Sequence, residues 1–149
     1  MKKVMALAAV LAALLLTAAA WVRLAPVDPA RWNVDVATDA PALCAEGIET
    51  GAASARAACL SSEPAVALLA RLDATAIATP RTHRIAGTPD EGRITWETRS
   101  LLIGFPDYTT AQVTPTEAGT RLDILARSRF GAGDGGVNAA RLEAWLLAL

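Results

Sequence analysis

Arg93-Ile94-Thr95-Trp96-Glu97-Thr98-Arg99 turns Ile94, Trp96 and Thr98 to one side of the chain and Thr95, Glu97 and Arg99 to the other. A period of two marks a half-buried strand rather than a helix. The same alternation returns downstream: Thr109, Ala111 and Val113 oppose Tyr108, Thr110 and Gln112. Leu122, Ile124 and Ala126 then oppose Asp123, Leu125, Arg127 and Arg129. Upstream, a short piece from Thr82 to Ala86 is separated from the Ile94 strand by Gly87, Pro89, Asp90 and Gly92, a turn-rich stretch suited to a hairpin. Four strands joined by short loops imply an antiparallel meander.

Helical periods flank these strands. Ser62-Glu63-Pro64 gives a start signal, with Ser62 as a cap and proline tolerated in the first turn. Ala65, Leu68, Leu69, Leu72 and Ala76 then make one apolar face, and Pro80 enforces a stop. Near the C-terminus Leu142, Trp145, Leu146 and Leu149 follow the i, i+3, i+4, i+7 rule, with Arg141 and Glu143 outside it and Asn138 placed to cap. The expected class is α+β: a hydrophobic N-terminal helix, then helix, four-stranded antiparallel meander and C-terminal helix. The domain's two helices pack on one face of the sheet, over residues 62–149.

At 149 residues the chain fits one domain of ordinary size. Lys2 and Lys3 precede a run from Val4 to Val22 with no charged residue and Thr17 as its single polar one. As a helix this run spans roughly 28 Å, close to the hydrocarbon core of a bilayer at about 30 Å. The absence of a polar face argues against a buried core helix. The lysines should stay cytoplasmic, which sends everything after Arg23 outward. Ala18-Ala19-Ala20 also supplies the small-x-small pattern of a signal-peptidase site, with cleavage before Trp21. Against cleavage, the apolar run continues through Trp21, Val22 and Leu24, and tryptophan suits a membrane interface. Residues 1–22 are therefore read as a signal anchor in the bacterial inner membrane, or else as a leader whose removal frees a soluble periplasmic domain.

Residues 23–61 are rich in Ala, Pro, Asp and Gly, with Pro26, Pro29 and Pro41 breaking any helix, and read as a tether. Pro29 and Trp32 would lie against the domain or the membrane surface. Cys44 and Cys59 are the only cysteines, in a compartment where disulfides persist. A bond closing this loop would restrict the unfolded chain by roughly 3 kcal/mol in the loop-entropy model. Two inert thiols are the alternative, and the spacing is wider than a redox Cys-x-x-Cys.

Basic and acidic residues number 14 and 15, and setting aside Lys2 and Lys3 leaves 12 against 15. The arginines are spread singly rather than in a stripe, so nucleic acid is not an expected partner. No cofactor is implied. His83, Cys44 and Cys59 are far apart with no repeated ligand spacing, which argues against a metal site.

The stretch Ala126-Arg-Ser-Arg-Phe-Gly-Ala-Gly-Asp-Gly-Gly-Val-Asn-Ala-Ala-Arg141 resembles the closing signature of an uncharacterised bacterial family, domain of unknown function 1499. The matching positions are Arg127, Ser128, Arg129, Gly131, Asp134, Gly136, Asn138 and Arg141. Arg99-Ser-Leu-Leu-Ile-Gly-Phe-Pro-Asp-Tyr108 is similar to the family's strand end followed by Phe-x-Asp-like residues. Cys59-Leu-Ser-Ser62 is similar to its Asn-Cys-Val-Ser-Ser element, with Ala58 in place of the asparagine. Leu24-Ala-Pro-Val-Asp-Pro-Ala-Arg-Trp32 looks like the stretch that follows the anchor in such proteins. The resemblance covers nearly the whole mature chain and brings no established activity with it.

Arg99, Asp107, Arg127, Arg129, Asp134 and Asn138 are the candidate site. Asp107 opens the third strand while Arg127 and Arg129 end the fourth, which a meander is expected to place at opposite ends unless the loops bend back. Asp134 and Asn138 have local uses, bonding backbone amides in a glycine-rich turn and at a helix start. As a brace, the cluster would pair Asp134 with Arg127 or Arg129 and seat the last helix on the sheet. As a binding site, the same arginines beside the amides of Gly135 and Gly136 would take an anionic small molecule or a lipid headgroup. A small hydrolase is the weakest of the three readings: His83 has no nucleophile motif beside it, and neither Ser100 nor Ser128 lies in Gly-x-Ser-x-Gly.

Overall fold

The computed structural model describes residues Met1 to Leu149. Helix α1 (Lys2–Leu24) carries no buried residue, and its most apolar stretch has a mean hydropathy of 2.3. It therefore contributes nothing to the core and is long and apolar enough to cross a membrane. After a single turn, α2 (Pro29–Trp32), and a 3-10 turn at Cys44–Gly47, come strands β1 (Glu49–Thr50) and β2 (Ser54–Ser61). Helix α3 (Ala65–Ala78) leads to β3 (Thr82–Thr88), β4 (Arg93–Arg99), β5 (Pro106–Thr116) and β6 (Gly119–Ser128), and α4 (Val137–Leu147) closes the chain.

The sheet has six antiparallel strands, in the order β1-β2-β6-β5-β4-β3, rather than four. The meander from β3 to β6 is present, and the two further strands come from residues 49–61. Strand β2 buries Ala55, Ala57 and Cys59 on alternate positions. Alanine is depleted in strands and buries little area, so its alternation carries scant hydrophobic contrast. The tight β3–β4 hairpin needs Gly87, whose φ is +82° and where a Cβ would sit 2.0 Å from the Arg93 carbonyl oxygen.

Both α3 and α4 cover the same sheet face, α3 over β3, β4 and β5, α4 over β2 and β6. Between them lie Leu68, Leu69, Leu72, Ile94, Trp96, Ala111, Leu122, Ile124, Leu142 and Trp145. Trp96 and Trp145 meet edge to face, ring centroids 5.5 Å apart. Each indole nitrogen finds an acceptor: Trp96 donates to Asp73 Oδ1 at 2.7 Å and Trp145 to Thr79 Oγ1 at 2.8 Å. Large aromatics can be buried here because their polar atoms are satisfied.

The other face is polar, and residues 25–40 run across it as a strap. Trp32 stacks on Tyr108 with centroids 4.0 Å apart, and Ala25 and Val36 are buried. Thr95 Oγ1 donates to Asn33 Oδ1 (3.1 Å), Thr110 Oγ1 to the Trp32 carbonyl (2.8 Å), and Arg121 Nη2 to the Ala40 carbonyl (2.8 Å). Beyond the single turn of α2 the strap has no helix to satisfy its carbonyls, and hydroxyl and guanidinium groups of the sheet meet those of Trp32 and Ala40 instead. Cys44 and Cys59 are joined as a disulfide, Cα atoms 4.4 Å apart, linking the 3-10 turn to β2.

Candidate functional site

Antiparallel pairing sets the start of β5 beside the end of β6, with Asp107 opposite Ser128 and Tyr108 opposite Arg127. The expectation that these residues fall at opposite ends is therefore corrected: they share one end of the sheet. What separates them is the pleat, which sends neighbouring side chains to opposite faces. Asp107 joins Asp134 and Asn138 on the helix side, whereas Arg99, Arg127 and Arg129 lie on the strap side. The six residues form two clusters.

On the helix side a continuous network ties α4 to the sheet. Asp107 accepts from Ser128 Oγ at 2.7 Å and from Arg141 Nη2 at 2.8 Å. Arg141 Nη1 donates to Asn138 Oδ1 (2.7 Å), and Asn138 Nδ2 donates to Ser128 Oγ (3.0 Å) and Asp134 Oδ2 (2.6 Å). Asp134 does not pair with Arg127 or Arg129. It accepts instead from the amides of Gly136 and Asn138 at 2.9 and 3.2 Å. Asp134 thereby takes the capping role expected of Asn138, which sits inside the first turn, fully buried. Burial pushes the Asp134 carboxyl up, but the bonds from Gly136 and Asn138 outweigh it and hold it below the usual carboxylate range.

On the strap side, Arg127 Nη2 donates to the Trp32 carbonyl (2.8 Å) and its guanidinium lies 5.2 Å from the Trp32 ring centroid. It has no carboxylate partner. Burial, and then repulsion from Arg56, lower its pKa. Arg129 Nη1 donates to the Pro26 carbonyl at 2.9 Å. Burial raises the Tyr108 phenol, an effect Arg129 opposes and Glu97 reinforces. Both arginines are engaged in holding the strap.

Arg99 opens onto a different feature, a cleft of about 530 Å³ between the end of α1 and the β3–β4 edge of the sheet, also lined by Arg23, Arg81, His83 and Ser100. Arg23 Nε and Nη2 donate to the carbonyls of Ile103 (2.9 Å) and Leu102 (2.7 Å). Arg99 pairs with Glu97, a carboxylate only 1% exposed, and donates to the Gly104 carbonyl at 3.1 Å. His83 Nε2 lies 3.9 Å from the same Glu97. Arg81 donates from Nε to the Arg99 carbonyl (2.9 Å) and holds a left-handed φ of 60°. Neither Arg23 nor Arg81 forms an ion pair, so the cleft carries uncompensated positive charge. The Ser100 hydroxyl accepts from the amides of Gly104 and Phe105 at 3.1 and 2.9 Å, which closes its own loop.

A family model described as a protein of unknown function (DUF1499) matches residues 26–149. The chain belongs to this family. The DUF1499 match starts at Pro26 and so takes in the strap as well as the sheet. A comparison with curated proteins finds no matching relative. Within the DUF1499 domain, the sequence gives little sign of Arg81, an isolated cation after a proline, or of Arg23, which reads as the flank of an apolar run. Arg141 was visible as part of the closing signature, three residues after Asn138 and so on the same helix face.

Proposed function

We propose that this DUF1499 protein is a membrane-anchored binding domain on the periplasmic side, and that the cleft between α1 and the sheet takes a phosphate-bearing anion. The observation that carries this reading is the pair Arg23 and Arg81, two guanidinium groups without carboxylate partners facing one open cleft. A guanidinium bonded to backbone carbonyls alone keeps its full charge, and two such groups in a partly enclosed site favour an anion such as phosphate over a neutral ligand. Arg23 ends the apolar helix, which sets the cleft at the depth of lipid headgroups when α1 spans a bilayer. The anion is a phospholipid headgroup or a free phosphate compound, since both offer the same oxygens.

Native mass spectrometry of the full chain released from a membrane mimetic tests this. We expect retained phospholipid, anionic in preference to zwitterionic, and roughly tenfold weaker retention in Arg81→Gln, the loss of one charge-assisted contact. Arg81 suits the test because removing Arg99 would strand the buried Glu97. Inorganic phosphate competing equally with anionic and zwitterionic lipid would assign the cleft to a free anion. Equal retention by wild type and Arg81→Gln would sink the reading.

A further inference from the structure

The loop between β4 and β5 is built oddly for a surface in water. Leu101, Leu102 and Ile103 stand 71%, 83% and 41% exposed in succession, with Phe105 close behind at 38%. Their position is fixed relative to α1: the Arg23 side chain binds the carbonyls of Leu102 and Ile103, and Arg99 Nη1 reaches the Arg23 carbonyl at 3.4 Å. Gly104 is buried with a φ of +83°, and a Cβ there would lie 3.1 Å from Arg23 Cγ, so the loop and the helix end are packed together. In the last turn of α1, Trp21 and Leu24 are themselves 69% and 81% exposed. An apolar tip beside an apolar helix, backed by Arg23, Arg81 and Arg99, is the pattern of a surface that enters a bilayer with its cations at phosphate level.

We propose that Leu101-Leu102-Ile103 inserts into the same lipid leaflet from which α1 emerges, holding the domain on the membrane at two points so that the basic cleft opens between headgroups. The occupant is the bilayer: the apolar tip continues the surface of a helix that already reads as membrane-spanning, and the charges behind it complement lipid phosphates. The inference rests on α1 remaining in the membrane. It fixes the orientation of the sheet, with the β5–β6 turn at Glu117 and Ala118 farthest from the lipid, about 35 Å along a strand of that length.

Three variants of the full chain, each with one cysteine added beside the Cys44–Cys59 disulfide, Leu14→Cys, Leu102→Cys and Ala118→Cys, are labelled unreduced with a polarity-sensitive dye and reconstituted in vesicles of mixed zwitterionic and anionic phospholipid. The unsubstituted chain gives the labelling background. Lipids spin-labelled at shallow or deep acyl positions then quench the dye. We expect deep quenching at position 14, shallow quenching at 102 several-fold above that at 118, and little at 118. Quenching at 14 with none at 102 would overturn the inserted loop while leaving the anchor in place. Absence of quenching at position 14 would remove the anchor and this inference with it.

Discussion

Asp107 and Arg141 show what a single contact is worth at the sheet–helix junction. Arg141 is 8% exposed and Asp107 14%, so neither can recruit much water if its partner is lost. Removing one member of such a pair leaves an uncompensated charge, at a cost of about 3 kcal/mol. Asp107→Ala and Arg141→Ala are each expected to lose that much in chemical denaturation of the full chain, and the double variant less than the sum. Arg129→Ala should show no coupling to Asp134→Ala, since Arg129 bonds Pro26 on the other face. Asp134 adds a pH dependence of definite sign. Its folded carboxyl titrates below the ordinary 3.8, so its contribution is complete above that value and is lost as pH falls through the folded pKa. A melting-temperature profile should therefore be flatter on the acid side, below about pH 4, in Asp134→Asn than in wild type.

Strap residues 25–40 matter as an element because they cover a sheet face that would otherwise expose Tyr108 and a threonine row. Trp32 is the anchor of that cover. Trp32→Ala is expected to cost about 3 kcal/mol, as for other buried large aromatics, and to open residues 26–40 to protease in the native protein. The disulfide ties the neighbouring 3-10 turn to β2, so unreduced protein should take up no alkylating reagent at Cys44 or Cys59, and two freely labelled thiols would reject the bond. This region was the least legible in the sequence. Its prolines and alanines suppress the periodic contrast by which Ile94, Trp96, Leu122 and Ile124 announced their strands, and a strap has no period at all. The candidate site was half legible for a related reason: the signature from Ala126 to Arg141 marked the right end of the sheet. The division of Asp107 from Arg127 between two faces follows from register, which residues far apart in the chain set together.

At the scale of the whole molecule, the two fates of α1, retention and cleavage before Trp21, make different physical bodies of the domain. Cleavage before Trp21 would leave Trp21, Val22 and Arg23 on the mature chain, so the contacts of Arg23 with Leu102 and Ile103 would survive. The cleft therefore does not depend on retention, but attachment at two points does. Retention is favoured by the last turn itself, where Trp21 and Leu24 are exposed and apolar and an uncleaved helix would set them at the interface. On the proposed reading, Lys2 and Lys3 stay on the cytoplasmic side and the domain faces outward. An alkaline phosphatase fused after Leu149 should accordingly be active, and the protein should stay with membranes after a carbonate wash, with an intact mass that includes Lys2 and Lys3. A soluble periplasmic product beginning at Trp21 would reject the anchor and the inserted loop together, yet leave the arginine cleft to be tested with phosphate alone. An inactive fusion would reverse the orientation and place the cleft against the cytoplasmic leaflet, whose anionic lipids would still satisfy its charge.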